Sequence, residues 1–192
     1  MGFDWRLFSL LNGLANRSPV LDIIIQLLMN DYAITTALVV SVFGLWFIGK
    51  SAEARERNQR AVLSAALSLV SANLVVKAFN VVFYRFRPFA FHKVNLLFYY
   101  PSDSSFPSNA ASVGFSLATA VWLLNRRMGW WLYALAVLLA IARVCGGVHY
   151  PADIVGGALI GMSCAYVIVR KARFLDPVCN GIIRLMRRLL LA

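Results

Sequence analysis

Long apolar runs separated by short polar connections limit most strongly how this chain can fold. A helix that crosses a membrane needs about 20 predominantly apolar residues. Hydrophobic residues make up 60% of the chain and charged residues 14%, against roughly 45–50% and 25% in soluble domains. The sequence therefore predicts an all-α, polytopic transmembrane helix bundle with five clear spans. The spans run over about Tyr32–Gly49, Ala61–Tyr84, Ser108–Leu124, Trp130–Val144 and Asp153–Val169.

The connections between these runs are too short to form a separate soluble domain. We therefore predict a single integral-membrane domain over residues 1–192. In residues 1–30, polar positions precede the apolar run Ile23–Met29. This pattern predicts an amphipathic helix followed by a short inserted helix, or else a sixth span. Residues 174–192 mix apolar residues with arginines, which predicts a basic helix lying on the membrane surface.

Basic residues outnumber acidic residues by 19 to 8, which gives a formal net charge of +11. In a soluble protein this excess would suggest a nucleic-acid partner, but in a membrane protein it first indicates loops on the cytoplasmic side. Most of the charge lies in two connections on one side of the predicted bundle and after the last span. We predict that this side is cytoplasmic and that nucleic acid is not a partner. The residues are Lys50, Arg55, Arg57, Arg60, Arg126, Arg127, Arg170, Lys171 and Arg173.

The outward connections, residues 85–107 and 145–152, and the helix ends beside them also carry basic residues. Orientation does not explain these cations, and ionisable residues at membrane depth commonly mark functional sites. Taken singly, Arg85, Arg87 and Lys93 are better explained as side chains that reach the lipid headgroups. Together they indicate an anion site at the outer end of the bundle. They are Lys77, Arg85, Arg87, Lys93 and Arg143.

Two motifs at the same outer end favour a phosphate as the anion. Ser108, Asn109 and Ala110 follow a proline and precede an apolar run, which predicts a helix start with free amide groups for an anion. His149 lies four residues before Asp153, so the carboxylate can bond one ring nitrogen and leave the other free to attack phosphorus. Alone, each motif has an ordinary explanation as a helix start or a packing histidine. One guanidinium group can bind two phosphate oxygens at once. The two motifs and the neighbouring arginines together therefore predict a phosphate site.

At these residues the sequence resembles the type 2 phosphatidic acid phosphatase superfamily of membrane lipid phosphatases. The family pattern is a lysine followed at a distance by Arg-Pro, then Pro-Ser-Gly-His, and then Ser-Arg, five residues, His, three residues and Asp. The resemblance runs from about Lys77 to Gly157. It is strongest to bacterial undecaprenyl-diphosphate phosphatases of the bacitracin-resistance type. The matching residues are Arg87-Pro88, Pro107-Ser108, Arg143, His149 and Asp153.

The resemblance implies a bundle in the bacterial inner membrane, with an extracytoplasmic active site and no metal or cofactor. His149 would be the nucleophile that forms a phosphohistidine, and Asp153 would orient it. The substrate would be undecaprenyl diphosphate, or alternatively phosphatidic acid or phosphatidylglycerol phosphate. Membrane lipid would surround the bundle as its other partner. By family role Arg87, Ser108 and Arg143 would hold the phosphate, and Lys77, Arg85 and Asn109 are added as candidates from the same clusters.

Three positions depart from the family pattern. Asn80 stands at the commonest position of the lysine, with Lys77 one helical turn earlier, and Ala142 replaces the serine before the arginine. Ala110 occupies the position of the second histidine, the general acid that protonates the leaving oxygen. Loss of a positioned acid costs roughly 10²–10⁴-fold in rate, so impaired activity is expected. His92, the other histidine of the chain, lies in the outer loop and is the candidate substitute.

Ala110 allows two explanations and keeps another class of function open. The chain is either a natural, attenuated member or carries a deliberate His→Ala change that retains substrate. The match around Ala110 favours the deliberate change. Outside the enzymes, a non-catalytic lipid-phosphate binder or transporter is the alternative.

Overall fold

The computed structural model describes residues 2–30, 32–172 and 176–189, which form α-helices joined by loops. These residues contain no strand, so the prediction of an all-α chain is confirmed for them. In chain order the helices are α1 (Phe3–Asn12), α2 (Pro19–Met29), α3 (Ala33–Leu45), α4 (Ala52–Val82), α5 (Pro88–Phe91), α6 (Asn109–Trp122), α7 (Arg126–Cys145), α8 (Pro151–Arg170) and α9 (Asp176–Arg188).

Short polar side chains determine where several helices begin. Ser51 accepts a hydrogen bond from the third amide beyond it at the start of α4, and Asn125 does the same at the start of α7. At α8, Pro151 occupies the first turn, and the Asp153 carboxylate accepts from the backbone N–H of Tyr150 at 2.8 Å. Such caps satisfy amides that have no partner inside the helix. The start of α8, where two of the predicted site residues lie, is therefore fixed by local sequence.

Helix α6 is the centre of the bundle and packs against α4, α7 and α8. Its 14 residues span about 21 Å, and most of its length is buried. Gly157 and Gly161 of α8 face it so closely that a Cβ atom would lie 2.2 Å from the carbonyl oxygen of Ser108 and 2.3 Å from that of Ser112. These two glycines therefore let the start of α6 pack closely against the second and third turns of α8.

Among the described residues, three helices are long and apolar enough to cross a membrane: α4, α7 and α8. Helices α2 and α3 satisfy the same criteria as a pair bent by 48°, which gives up to four spans. The predicted run Ser108–Leu124 forms the 14-residue α6, which packs against α4, α7 and α8. The five apolar runs thus form helices, while the count of five or six spans stays a prediction.

The helices at both ends of the chain pack on the bundle. α1 contacts α7 and α8, and Phe8 is buried there. α9 contacts α4, where Arg60 pairs with Asp176 at 3.6 Å. Residues 174, 175 and 190–192 of the predicted C-terminal segment lie outside the described residues. Placement of either end on a membrane surface stays a prediction.

Large apolar side chains remain exposed around the outside of the bundle. A soluble monomer rarely exposes such an extensive apolar surface. On α4 and α8 these side chains lie along the faces that point away from α6, as expected for contact with lipid. They include Val70, Leu74, Val81, Val82, Val155, Leu159 and Val167.

Candidate active site

A cavity of about 290 Å³ opens at the outer end of the bundle, where the loop before α6 meets the ends of α4, α6 and α7. It contains both of the arginines that the family pattern includes, together with His149. Its lining residues are Thr35, Asn80, Arg87, Tyr99, Pro101, Asp103, Ser104, Pro107, Asn109, Ala110, Val113, Arg143 and His149.

Contacts with two residues, Val148 and Asp103, hold the Arg87 guanidinium in place at the cavity. Its Nη1 donates to the carbonyl of Val148 at 2.9 Å, and its Nη2 pairs with the carboxylate of Asp103 at 2.9 Å. Its Nε donates to the backbone carbonyl of Asp103 at 3.2 Å. With 6% of its surface exposed, Arg87 is a buried cation that lines the cavity. Burial strengthens its attraction for an anion, because water screens the charge less.

Arg143 supplies the second buried cation. It lies in the last turn of α7, where the helix dipole favours positive charge. Its Cζ lies 5.0 Å from the ring centre of Phe98, and 5% of the residue is exposed. Both arginines line the same cavity, so a phosphate bound there would meet two guanidinium groups.

His149 is oriented by a backbone carbonyl. Its Nδ1 lies 3.0 Å from the carbonyl oxygen of Ser105, so Nδ1 carries the proton and donates. Its Nε2 lies 3.4 Å from Nη1 of Arg87. This arrangement leaves Nε2 as the unprotonated nitrogen at the cavity.

Burial lowers the pKa of His149 below its ordinary value of 6.5, because the surroundings disfavour the charged ring. The positive charges of Arg87 and Arg143 also lower this pKa, while Asp153 acts in the opposite direction. The imidazole is therefore neutral at pH 7. A neutral, oriented imidazole beside two cations is suited to attack an electrophilic phosphorus atom.

Asp153 does not form the hydrogen bond with His149 that the four-residue spacing predicted. Its Oδ2 lies 3.8 Å from Nδ1, beyond hydrogen-bond distance. The fully buried carboxylate instead accepts from the Ser105 hydroxyl at 2.5 Å and pairs with Arg85 at 2.6 Å. The carbonyl of Ser105 accepts from Nδ1 in its place, and Asp153 contacts the ring at ion-pair distance. Ser105 therefore contacts both residues, Asp153 through its hydroxyl and His149 through its carbonyl.

Two predicted phosphate-binding residues lie away from the cavity lining. The guanidinium of Arg85 bridges Asp4 and Asp153, so an internal ion-pair network takes its donors. Lys77 is exposed on α4, while Asn80, one turn later, lines the cavity. The carboxylates of Asp4 and Asp153 hold the Arg85 guanidinium, and α4 turns Asn80 rather than Lys77 toward the cavity. Phosphate contacts of Lys77 and Arg85 stay a prediction.

The first turn of α6 forms one wall of the cavity. Asn109 and Ala110 line it, and the fully buried Ser108 caps the helix by accepting from the amide of Ala111 at 3.4 Å. The helix start thus presents its positive end to the cavity. Ala110 provides no proton there.

His92 does not fill the gap that Ala110 leaves. It is exposed, its ring centre lies 3.8 Å from that of Trp5, and it does not line the cavity. The substitution of His92 for the missing acid is therefore not supported.

Three site residues escaped the sequence reasoning. Ser105 stands three residues before Ser108, and this closeness to the motif was the available signal. Asp103 lies in the same outer loop, but nothing in the sequence pairs it with Arg87. Asp4 lies 81 residues from its partner Arg85, so no local pattern could reveal it.

Among the histidine, cysteine and acidic residues that the structure describes, no group of three or more could hold a metal ion.

Comparison with known proteins agrees with this geometry. Undecaprenyl-diphosphatase BcrC of Bacillus subtilis (strain 168) is 25% identical over 182 residues, which cover 95% of this chain and 91% of the relative. The crystal structure of Aquifex aeolicus LpxE aligns with a TM-score of 0.69 at 26% identity and covers 88% of this chain and 96% of LpxE.

A second solved structure has the same fold. The PAP2-type phosphatidylglycerolphosphate phosphatase of Bacillus subtilis aligns with a TM-score of 0.59 at 21% identity, covering 88% of this chain and 85% of that one. The family description "PAP2 superfamily" matches residues 61–175, more than half of the chain and the region that contains both arginines and His149. The chain belongs to the PAP2 superfamily of membrane phosphatases.

Proposed function

We propose that this protein hydrolyses undecaprenyl diphosphate to undecaprenyl phosphate and inorganic phosphate. The observation that carries the proposal is the neutral imidazole of His149, whose Nε2 faces a cavity lined by the buried Arg87 and Arg143. A phosphatase that works through a covalent phosphoenzyme needs such a nucleophile beside fixed positive charge.

The reaction proceeds in two displacements. Nε2 of His149 attacks the terminal phosphorus, a P–N bond forms, and the P–O bond to the lipid phosphate breaks. Water then attacks the phosphohistidine, which releases inorganic phosphate and restores the imidazole. Arg87 and Arg143 hold the phosphoryl oxygens and stabilise the charge that develops on them.

The substrate is a diphosphate for two reasons. The two buried guanidinium groups suit the greater charge of a diphosphate. A lipid phosphate also leaves more readily than an alkoxide, so a diphosphate tolerates Ala110 better than a phosphate monoester does. The similarity to undecaprenyl-diphosphatase BcrC supports the same choice.

Other lipid phosphates are the alternative substrates. The structural likeness to LpxE and to the phosphatidylglycerolphosphate phosphatase favours testing phosphatidic acid and phosphatidylglycerol phosphate. The proposed location is the bacterial inner membrane with the cavity at the extracytoplasmic side, as the distribution of basic loops indicates.

Phosphate release from purified protein in detergent tests the substrate. We expect release from undecaprenyl diphosphate at a higher kcat/KM than from phosphatidic acid or phosphatidylglycerol phosphate. The measurement uses this chain and its Ala110→His variant with matched lipid-to-detergent ratios. A higher kcat/KM for a monoester lipid in both proteins contradicts the assignment of a diphosphate substrate. The proposal that the protein is a phosphatase then still holds.

Ala110 favours a second candidate, a non-catalytic lipid-phosphate binder or transporter. The cavity retains its cations, while position 110 offers no acid to a leaving group. In that case undecaprenyl diphosphate binds to this chain and to Ala110→His, but neither protein releases phosphate above background.

The pH dependence of kcat/KM reports the nucleophile. Burial lowers the pKa of His149, so its neutral form is fully available above pH 6.5 and is lost only as pH falls through the lowered pKa. We expect the acidic limb of the profile to lie below pH 6.5. A limb centred above this value contradicts attack by the buried, neutral His149.

A further inference from the structure

Helix α1 lies behind His149, and Asp4 uses both of its carboxylate oxygens there. Oδ2 pairs with Nη2 of Arg85 at 2.7 Å. Oδ1 accepts from the backbone N–H of Ala152 at 2.9 Å, in the first turn of α8. A carboxylate at a helix start satisfies a free amide and favours the helix dipole. Asp4 thus fixes the first turn of α8, directly after His149.

Arg85 connects two carboxylates. Its Nη1 pairs with Asp153 at 2.6 Å, while Nη2 pairs with Asp4. Its guanidinium carbon lies 4.3 Å from the ring centre of Tyr150, and its carbonyl accepts from the N–H of Ser105 at 2.8 Å. The three contacts of the guanidinium, with Asp4, Asp153 and Tyr150, leave it little freedom to turn toward a ligand. Its position depends on having a carboxylate at each end.

The same contacts continue to the reacting ring. Asp153 accepts from the hydroxyl of Ser105, and the carbonyl of Ser105 accepts from Nδ1 of His149 at 3.0 Å. An unbroken series of bonds therefore joins Asp4 to His149. The family match covers residues 61–175, so Asp4 lies outside it.

We infer that Asp4 is a positioning residue for His149, acting through Arg85, Asp153 and Ser105 on the direction of Nε2. The inference rests on the proposed function, because that function makes His149 the nucleophile. Without Asp4, Arg85 has one carboxylate in place of two, and the carbonyl that holds Nδ1 loses part of its support. The phosphate-holding arginines, Arg87 and Arg143, are not part of this series.

Kinetics of Asp4→Asn in the Ala110→His background test the inference. Asparagine keeps an acceptor for the amide of Ala152 but removes the charge opposite Arg85. We expect kcat to fall roughly 10- to 100-fold, as misdirected nucleophiles do. KM and the inhibition constant of inorganic phosphate stay within about twofold, since Arg87 and Arg143 are unchanged. Asp4→Glu, which keeps the charge, restores part of kcat.

A matched control separates this effect from a general change of charge. Asp22→Asn also removes one N-terminal carboxylate, on α2, where Asp22 accepts from the amide of Asn16. We expect its kcat to equal that of the parent. If the two asparagine variants lose kcat equally, Asp4 has no specific positioning role.

Arg85→Lys is the second variant, for use if Asp4→Asn fails to fold. A single ammonium group cannot bridge both carboxylates as the planar guanidinium does. It should therefore give the same loss of kcat with KM unchanged. An unaltered kcat in the folded Arg85→Lys protein overturns the inference.

NMR of the ring nitrogens in isotope-labelled histidine shows which nitrogen of His149 carries the proton, and this measurement does not need turnover. The chain has 2 histidines, so His149→Ala assigns the signals. In this chain we expect His149 to be protonated at Nδ1, and in Asp4→Asn we expect mixed tautomers or a broadened signal. Unchanged His149 signals and unchanged kcat overturn the inference while phosphate release keeps the proposed function. Altered His149 signals in Asp4→Asn, without phosphate release from any of the proteins, contradict the proposed function. The inference that Asp4 positions His149 then still holds.

Discussion

Ala110→His should raise the rate of phosphate release by roughly 10²–10⁴-fold, equal to about 3–5 kcal/mol of transition-state stabilisation. Ala110 lies in the first turn of α6 and lines the cavity that also holds His149. A histidine there can protonate the oxygen that leaves when His149 attacks. The gain should be smaller for the diphosphate than for phosphatidic acid, whose alkoxide leaving group depends more on an acid.

The measurement compares kcat of this chain and Ala110→His on both lipids. Ala110→Gln is the matched control, because glutamine adds a polar side chain of similar length without an acidic proton near neutral pH. It should stay near the parent rate. The pH profile of Ala110→His should also gain a basic limb, as the new acid loses its proton. Equal gains in the histidine and glutamine variants would exclude general acid catalysis at this position.

His149→Ala should reduce phosphate release to the assay background, a loss on the order of 10⁴-fold or more in the Ala110→His background. Without Nε2 no P–N bond can form, and the two arginines alone only bind the substrate. Retained binding of undecaprenyl diphosphate, measured by equilibrium binding in detergent, would show that the variant still folds.

His92→Ala is the control for this loss. His92 stacks on Trp5 and does not line the cavity, so its removal should leave kcat near the parent value. Acid-labile phosphate trapped on the protein in rapid-quench samples should appear in the parent and in His92→Ala, and be absent from His149→Ala. Turnover that survives in His149→Ala would remove the nucleophile assignment.

The sequence predicted the helices well because their signals are local. Apolar runs of membrane-helix length and short caps such as Ser51 and Asn125 depend only on neighbouring residues. The length of α6 could not be predicted in the same way. Its apolar run looks like a span, yet α6 ends at Trp122 after 14 residues and packs among α4, α7 and α8.

The sequence by itself predicted an all-helical membrane chain and proposed Arg87, Arg143 and His149 as its principal site residues. These residues stand in short motifs whose spacing has a chemical meaning. The structure brings these three together around one cavity. Each of these residues can be recognised from its own local motif, so their separation along the chain did not prevent the prediction.

Only the tertiary structure decided which partners those residues have. It placed Asn80 in the cavity and Lys77 outside it, because the packing of α4 selects which side faces α6. It also showed that Nδ1 of His149 donates a hydrogen bond to the carbonyl of Ser105. It also joined Arg85 to Asp4, which lies 81 residues away. Such contacts arise when helices pack, and no period or motif within one segment carries information about them.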